Sequence, residues 1–318
     1  MVHLTINGRA VEAKEGTLLI EVCRDNGIEI PALCYDKNLA IDGSCRMCLV
    51  EIEGRHGLET SCSTVVRSGM VVHTESERVV KTRRSILRLY LDNHPNDCLT
   101  CEKAGDCLLQ EYAYRYDVRF REHEGDRRGT GLAGWTDTSS PYILRDESKC
   151  ILCGKCVRTC AAIPDRNVLG YAGRGFHTKI SADANQSLEE STCVSCNRCV
   201  VICPVGALID RRSYEARIRS WEGQHSIIKC KSCDYGCNFD LLEKNGKKVI
   251  RPRKPTNGRP LCLRGRLFTE ARHNTELPKA YRKVETPDGR RFQEVSWPQA
   301  LELDGLLERF CTEPEQGE

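Results

Sequence analysis

Twenty-one of the 318 residues are cysteine, and their spacing is the strongest chemical signal in the chain. They gather in four groups: Cys34, Cys45, Cys48 and Cys62; Cys98, Cys101 and Cys107, with His94 just ahead; Cys150, Cys153, Cys156, Cys160, Cys193, Cys196, Cys199 and Cys203; and Cys230, Cys233, Cys237 and Cys262. Only Cys23 and Cys311 stand apart. Tightly spaced cysteine pairs bring two sulfurs to one metal centre, whereas a disulfide scaffold spreads its cysteines more evenly. The N-terminus, MVHLTINGRAVEAKEG, has no basic stretch leading into an apolar run, so no secretory signal is visible. The expected chemistry is thiolate–metal chemistry in a reducing, cytoplasmic compartment. No apolar run approaches the roughly 18 residues of a membrane span. A balance of 48 Lys and Arg against 45 Asp and Glu argues against a general nucleic-acid binder.

The elements that must hold these groups are short. At roughly 100–200 residues per domain the length allows two or three domains. An aromatic content of 6% and a mean hydropathy of −0.47 do not favour one large core. Val2, Leu4 and Ile6 alternate, Asn7-Gly8 signals a two-residue hairpin, and Val11 resumes the strand. A short helix is expected from Thr17 to Asn26, with Leu18, Leu19, Val22 and Cys23 on one face and Gly27 closing it in the left-handed conformation. Cys23 then reads as a buried core thiol. In the loop Asp42-Gly43-Ser44-Cys45-Arg46-Met47-Cys48, backbone amides are available to donate to sulfur.

Further along, Thr74-x-x-Glu77 reads as a capping box. The helix it opens carries an apolar stripe (Val79, Val80, Ile86, Leu87, Tyr90, Leu91) and a basic face (Arg78, Lys81, Arg83, Arg84, Arg88). That face is either solvated or set against cluster charge or an acidic partner. Residues 119–140 are polar and glycine-rich and read as a connector. Asn245-Gly246 joins two strand-like segments, 238–242 and 248–251.

Set on these elements, the groups resemble known cluster motifs. The first, spaced C-x10-C-x2-C-x13-C, departs from the spacing of plant-type [2Fe–2S] ferredoxins. It resembles the N-terminal domain of the respiratory complex I large iron–sulfur subunit and of [FeFe]-hydrogenases, with structural zinc as the competing occupant. The string HPNDCLTCEKAGDCLLQ resembles the [4Fe–4S] motif of the same families that uses one histidine and three cysteines. It implies His94, Cys98, Cys101 and Cys107 as ligands, with a neutral imidazole that changes the cluster's charge and tunes its potential. The runs Cys150-x2-Cys153-x2-Cys156-x3-Cys160 and Cys193-x2-Cys196-x2-Cys199-x3-Cys203-Pro204 form an internal repeat similar to bacterial two-cluster ferredoxins. There the fourth cysteine of each run ligates the other cluster. The resemblance implies one [4Fe–4S] on Cys150, Cys153, Cys156 and Cys203 and a second on Cys160, Cys193, Cys196 and Cys199, although Ala161 stands where short ferredoxins place proline. The last group resembles the small [4Fe–4S] domain that opens molybdopterin oxidoreductases such as formate dehydrogenase. It implies Cys230, Cys233, Cys237 and Cys262 as ligands and Arg264 as a cofactor-binding basic residue between cluster and pterin. A zinc ribbon competes for this group.

The implied architecture is α+β and multidomain. It comprises a β-grasp [2Fe–2S] ferredoxin domain (1–78), a helical [4Fe–4S] domain with one His and three Cys ligands (79–118) and the connector (119–140). A two-cluster bacterial ferredoxin domain (141–212) follows, then a small β-rich [4Fe–4S] domain of molybdopterin oxidoreductase type (222–275). The tail (276–318) looks like the start of a pterin domain. Nineteen cysteines and His94 supply four ligands to each of five clusters, one [2Fe–2S] and four [4Fe–4S], with none left over. No dinucleotide fingerprint, no Walker A loop and no motif for a hydrogenase active-site cluster is present, so no catalytic residue is assigned.

The resemblance therefore implies an electron-transfer subunit of a multi-subunit NAD(P)-linked hydrogenase. Its partners would be a diaphorase subunit binding FMN and NAD(H), a small [2Fe–2S] subunit, and a catalytic hydrogenase subunit or ferredoxin, with flavin-based electron bifurcation as one mode. An NAD-linked formate dehydrogenase or another reductase complex is the alternative terminal enzyme. A zinc-stabilised binding or scaffold protein is an alternative of a different class, and a piece of a longer catalytic polypeptide is a fourth.

Overall fold

The computed structural model describes residues 1–125, 136–163, 167–253, 261–274 and 276–304. Cys311, the tail beyond 304 and residues 126–135 of the expected connector lie outside the described residues.

The N-terminal unit holds β1 (Val2–Ile6), β2 (Arg9–Ala13), α1 (Leu19–Asp25), β3 (Leu49–Ile52), β4 (Leu58–Thr60) and β5 (Val71–His73). The sheet order is β2-β1-β5-β3-β4. β1 runs parallel to β5, and the other pairs are antiparallel. Asn7 and Gly8 take φ of 51° and 80°, as a type I′ turn requires, which sets Ile6 opposite Arg9. The alternating Val2, Leu4 and Ile6 pack with Leu19, Ile20, Val22 and Cys23 of α1. Gly27, at φ 74°, closes α1 in a Schellman arrangement: its N–H donates to Arg24 O and the Ile28 N–H to Cys23 O. Cys23 is fully enclosed, and burial pushes its thiol up to about 12.

Next come α2 (Glu77–Asp92) and α3 (Leu108–Arg115). The start of α2 differs from the expected capping box. Ser76 is the cap, its hydroxyl accepting from Val79 N. Thr74 is buried and tied to the first hairpin, with Asn7 Nδ2 donating to its hydroxyl and its own N–H donating to Asn7 Oδ1, both at 2.8 Å. Held to the sheet in this way, Thr74 lies two residues ahead of the cap, and Glu77 is the first helical residue. The basic face also needs correction at one position. Arg83 has no exposed surface and sits between Val79 and Leu87 in the buried stripe.

The central unit comprises β6 (Thr136–Asp137), β7 (Ile143–Asp146), α4 (Lys155–Ala161), β8 (Leu169–Ala172), β9 (Lys179–Ala182), α5 (Arg198–Ile202), β10 (Leu208–Asp210) and α6 (Arg211–Ala216). It has a three-stranded sheet, β10-β7-β6, and the hairpin β8-β9. The end of the expected connector is thus paired structure, with Asp137 buried and accepting from Leu188 N. The internal repeat of the sequence is also a structural repeat. Gly154 and Asn197 take the same left-handed conformation before α4 and α5 (φ 65° and 56°), as do Leu152 and Ser195 (55° and 53°).

The C-terminal unit carries β11 (Gln224–Lys229), β12 (Asn238–Lys244), β13 (Lys247–Pro252), α7 (Leu263–His273), β14 (Ala280–Thr286), β15 (Gly289–Val295) and α8 (Trp297–Leu301). β11-β12-β13 is an antiparallel sheet turned at Asn245-Gly246, and β14-β15 is a separate hairpin. One core runs from Leu33, Cys34 and Met47 through α2, α3 and the central unit to Leu267, Ala280 and Leu301. Among the described residues, no helix is long and apolar enough to cross a membrane.

Candidate metal centres

The four thiols of the first group are brought together and are almost entirely buried (0–2% exposed). The Cys34 and Cys45 thiols perturb one another, as do those of Cys48 and Cys62, and charge on Cys34, Cys45 and Cys48 is felt at Cys62. Cys45's thiol draws Cys34 down to about 6, and Cys62's draws Cys48 down to about 7. Their partners are pushed up. Four buried sulfurs interacting in pairs suit a cationic core that takes all four as thiolates. The loop is held from outside by Arg83, a residue the charge pattern misassigns. Its Nε donates to Met47 O (3.0 Å) and its Nη2 to Leu49 O (2.7 Å), the carbonyls on either side of Cys48. Its Nη1 reaches Tyr116 OH and Glu75.

At the second group, His94 is buried. Desolvation lowers its imidazole to about 4, so it is neutral at pH 7, and Asn96 N donates to its Nδ1 at 3.3 Å. Cys98 is exposed, Cys101 buried and Cys107 intermediate, with Cys98 and Cys107 both sensing charge on Cys101. Lys149, placed 3.3 Å from Asp97 and 3.2 Å from Asp146, also lies in the field of Cys101. Gly206, which has no motif to announce it, decides how closely the next unit approaches. A β-carbon there would stand 2.8 Å from Cys101 Sγ, inside normal contact. Gly206→Ala is therefore expected to displace that sulfur and deplete iron from the His94 group selectively. Iron analysis with EPR of the reduced protein checks this, and wild-type signals in the variant would refute it.

The eight cysteines of the central unit surround two separate apolar cavities. Cys150, Cys153, Cys156 and Cys203 line one, with Ile151, Ile180 and Val205. Cys160, Cys193, Cys196 and Cys199 line the other, with Ile143, Leu169 and Leu188. The fourth cysteine of each run thus faces the other run's triplet. Leu152 N and Ser195 N, at equivalent positions, each donate to the first sulfur of their run at 3.4 Å. Desolvation pushes Cys153 up to about 12 and Cys156 and Cys199 well above the usual thiol value. Thiolates there need a compensating metal core. The last group also converges. Ser232 N donates to Cys230 Sγ (3.4 Å) and Gly265 N to Cys262 Sγ (3.2 Å). A β-carbon on Gly265 would lie 3.2 Å from both sulfurs, and Cys237 senses Cys230, Cys262 and Cys233. Arg264 is half-exposed and pairs with Glu302 at 3.5 Å. Among the described residues no three ligand-type side chains converge tightly enough for a single ion; the central quartets surround cavities instead.

The groups neighbour one another in a definite order. Cys153 senses Cys34 across the first boundary, and Cys107 senses Cys203 across the second. Leu108 N donates to Pro204 O at that second boundary. Cys199 lies in the field of Cys203, joining the two central quartets. The Cys150 quartet therefore has three neighbours. From the second central quartet, Asn197 hydrogen-bonds Asp210, which takes both Nη atoms of Arg266 in the helix that follows Cys262.

Four groups of cysteines brought together along the chain, two of them lining apolar cavities, define an iron–sulfur protein. Comparison with known proteins agrees. Residues 1–77 match a 2Fe-2S iron-sulfur cluster binding domain and residues 83–122 the NADH-ubiquinone oxidoreductase-G iron-sulfur binding region. Residues 140–209 match the ferredoxin-like domain of NADH-quinone oxidoreductase subunit 3. The second G-type subunit of NADH-quinone oxidoreductase from Rhizobium meliloti (strain 1021) is 34% identical over 94% of this chain and 34% of its own length. NADP-reducing hydrogenase subunit HndD of Solidesulfovibrio fructosivorans is 37% identical over 66% of this chain and 36% of its own. The chain thus spans about a third of the length of these curated relatives. A chain from the H2-reduced crystal structure of NAD+-reducing [NiFe]-hydrogenase superposes with a TM-score of 0.58 at 31% identity, covering 66% of this chain and 87% of that one. The chain belongs to the iron–sulfur family that includes the G-type subunits of NADH-quinone oxidoreductase and the matching chain of the NAD+-reducing hydrogenase.

Proposed function

We propose that the chain is a five-cluster electron relay serving an NAD(H)-linked oxidoreductase complex. It holds one [2Fe–2S] cluster on Cys34, Cys45, Cys48 and Cys62 and four [4Fe–4S] clusters on the remaining groups, His94 included. The observation that carries this reading is the exchange of fourth cysteines around two apolar cavities, the ligand geometry of two-cluster ferredoxins. Electrons pass one at a time between a flavin- and NAD(H)-binding diaphorase subunit and a catalytic hydrogenase subunit or ferredoxin. A small [2Fe–2S] subunit completes the complex, which is cytoplasmic. A formate dehydrogenase is the alternative terminal enzyme. The three neighbours of the Cys150 quartet favour branching over a single file, and branching is what electron bifurcation requires. Exposed Cys98 beside Leu99, which is 93% exposed, and exposed Cys233 and Cys262 offer two solvent-facing ends for partners. Arg264 lies at the second of these.

Chemical analysis of anaerobically prepared protein is expected to give about 18 iron and 18 sulfide per chain, with [2Fe–2S] and [4Fe–4S] EPR signals after dithionite. About 14 iron with one zinc would make the last group structural. Little iron and several zinc would overturn the relay. Cys203→Ala should remove the cluster of the Cys150 triplet and Cys160→Ala that of the Cys193 triplet. The reverse pairing would refute the ligand exchange.

A further inference from the structure

We propose that Arg158 is the coupling residue between the [2Fe–2S] site and the Cys150 quartet. The inference rests on the cluster assignment of those two groups. Arg158 lies in α4, between Cys156 and Cys160, yet its side chain reaches the N-terminal unit. One nitrogen, Nη2, donates to Cys34 O at 2.6 Å and to Cys153 O at 3.1 Å. Nη1 donates to Ala40 O at 2.5 Å. A single guanidinium nitrogen thus joins the main chain of a ligand of one site to that of a ligand of the next. The route from sulfur to sulfur is covalent except for two hydrogen bonds.

The geometry gives Arg158 two roles. As a fork it fixes the separation of two units that, among the described residues, share no strand pairing, and tunnelling rates fall steeply with separation. As a permanent cation it stands between two anionic centres and favours the added electron on either. The step it serves moves one electron: one site is oxidised as the other is reduced, with no bond made or broken. A lysine keeps the charge but cannot present a planar fork to three carbonyls.

The test uses the full chain with its clusters, checked by iron, sulfide and EPR. Arg158→Lys is expected to keep both clusters and their potentials while slowing electron exchange between them severalfold after pulsed reduction. Arg158→Met should slow exchange likewise and also shift the [2Fe–2S] potential downward in an EPR-monitored redox titration. Wild-type rates and potentials in both variants, with clusters intact, would overturn the proposal. Should both variants lose iron, the wild type decides. The spin relaxation of its reduced [2Fe–2S] cluster should quicken as the neighbouring [4Fe–4S] cluster is reduced. Relaxation indifferent to every other cluster would overturn the coupling. Absence of either signal from wild-type protein would instead overturn the cluster assignment itself.

Discussion

Arg266→Met is expected to cost about 3–5 kcal/mol of stability, the penalty for leaving a buried charge without its partner. Arg266 is fully enclosed. It gives both Nη atoms to Asp210 (2.6 and 3.2 Å) and Nε to Glu270 (3.0 Å), and it donates to Ile250 O in β13. Asp210 in turn caps α6 through Ser213 and accepts from Asn197, in the loop between Cys196 and Cys199. Removing the arginine strands a carboxylate beneath a candidate cluster loop and undocks α7, which begins at Cys262. Denaturation followed together with the signal of the cluster proposed for the Cys230 group checks this. A loss below about 0.5 kcal/mol, the size of an ordinary surface change, would refute it. Asp210→Asn with Arg266→Met should recover part of the loss, since removing both charges is less costly than removing one.

The same pair sets a pH dependence. Burial pushes the Asp210 carboxyl up, but the charge and hydrogen bonds of Arg266 outweigh it and leave the group below the usual range. A depressed carboxylate contributes stability in full above its unfolded value of about 4 and loses it as pH falls through the lower folded value. The stability difference between wild type and Asp210→Asn should therefore be largest near neutrality and shrink in acid. A difference that grew below pH 4 would contradict the pairing.

Arg83→Met should cost on the order of 3 kcal/mol, because buried carbonyls of Met47 and Leu49 lose their donor together with the hydroxyl of Tyr116. The loop carrying Cys45 and Cys48 should loosen, so the [2Fe–2S] signal should bleach faster in air than in wild type. Arg83→Lys should recover less than half the stability, since one ammonium cannot serve acceptors spread around a planar fork. Unchanged stability and bleaching in the methionine variant would show that the loop holds itself.

Arg83 also shows where sequence reasoning stops. Its neighbours Arg78, Lys81, Arg84 and Arg88 suggest one basic face. The spacing Val79, Arg83, Leu87 is the available signal, three positions one turn apart on the buried side. Thr74 departs from its expected role for a related reason. Its capping pattern is intact locally, but Asn7, 67 residues away, claims both its hydroxyl and its N–H.

Most of the local chemistry was legible. The tight cysteine spacings, the hairpins at Asn7-Gly8 and Asn245-Gly246, the Gly27 helix end and the buried Cys23 all follow from residues within a few positions of one another. Backbone conformation and tight ligand spacing are short-range properties, and sequence order carries them directly. The tertiary structure decided which groups are neighbours, which arginines are structural and where small residues are obligatory. Arg158 meets Cys34 across 124 positions, Arg266 meets Asp210 across 56, and Gly206 meets Cys101 from another unit. Those contacts depend on how units pack, and a long side chain buried by packing carries the same letter as one left in water.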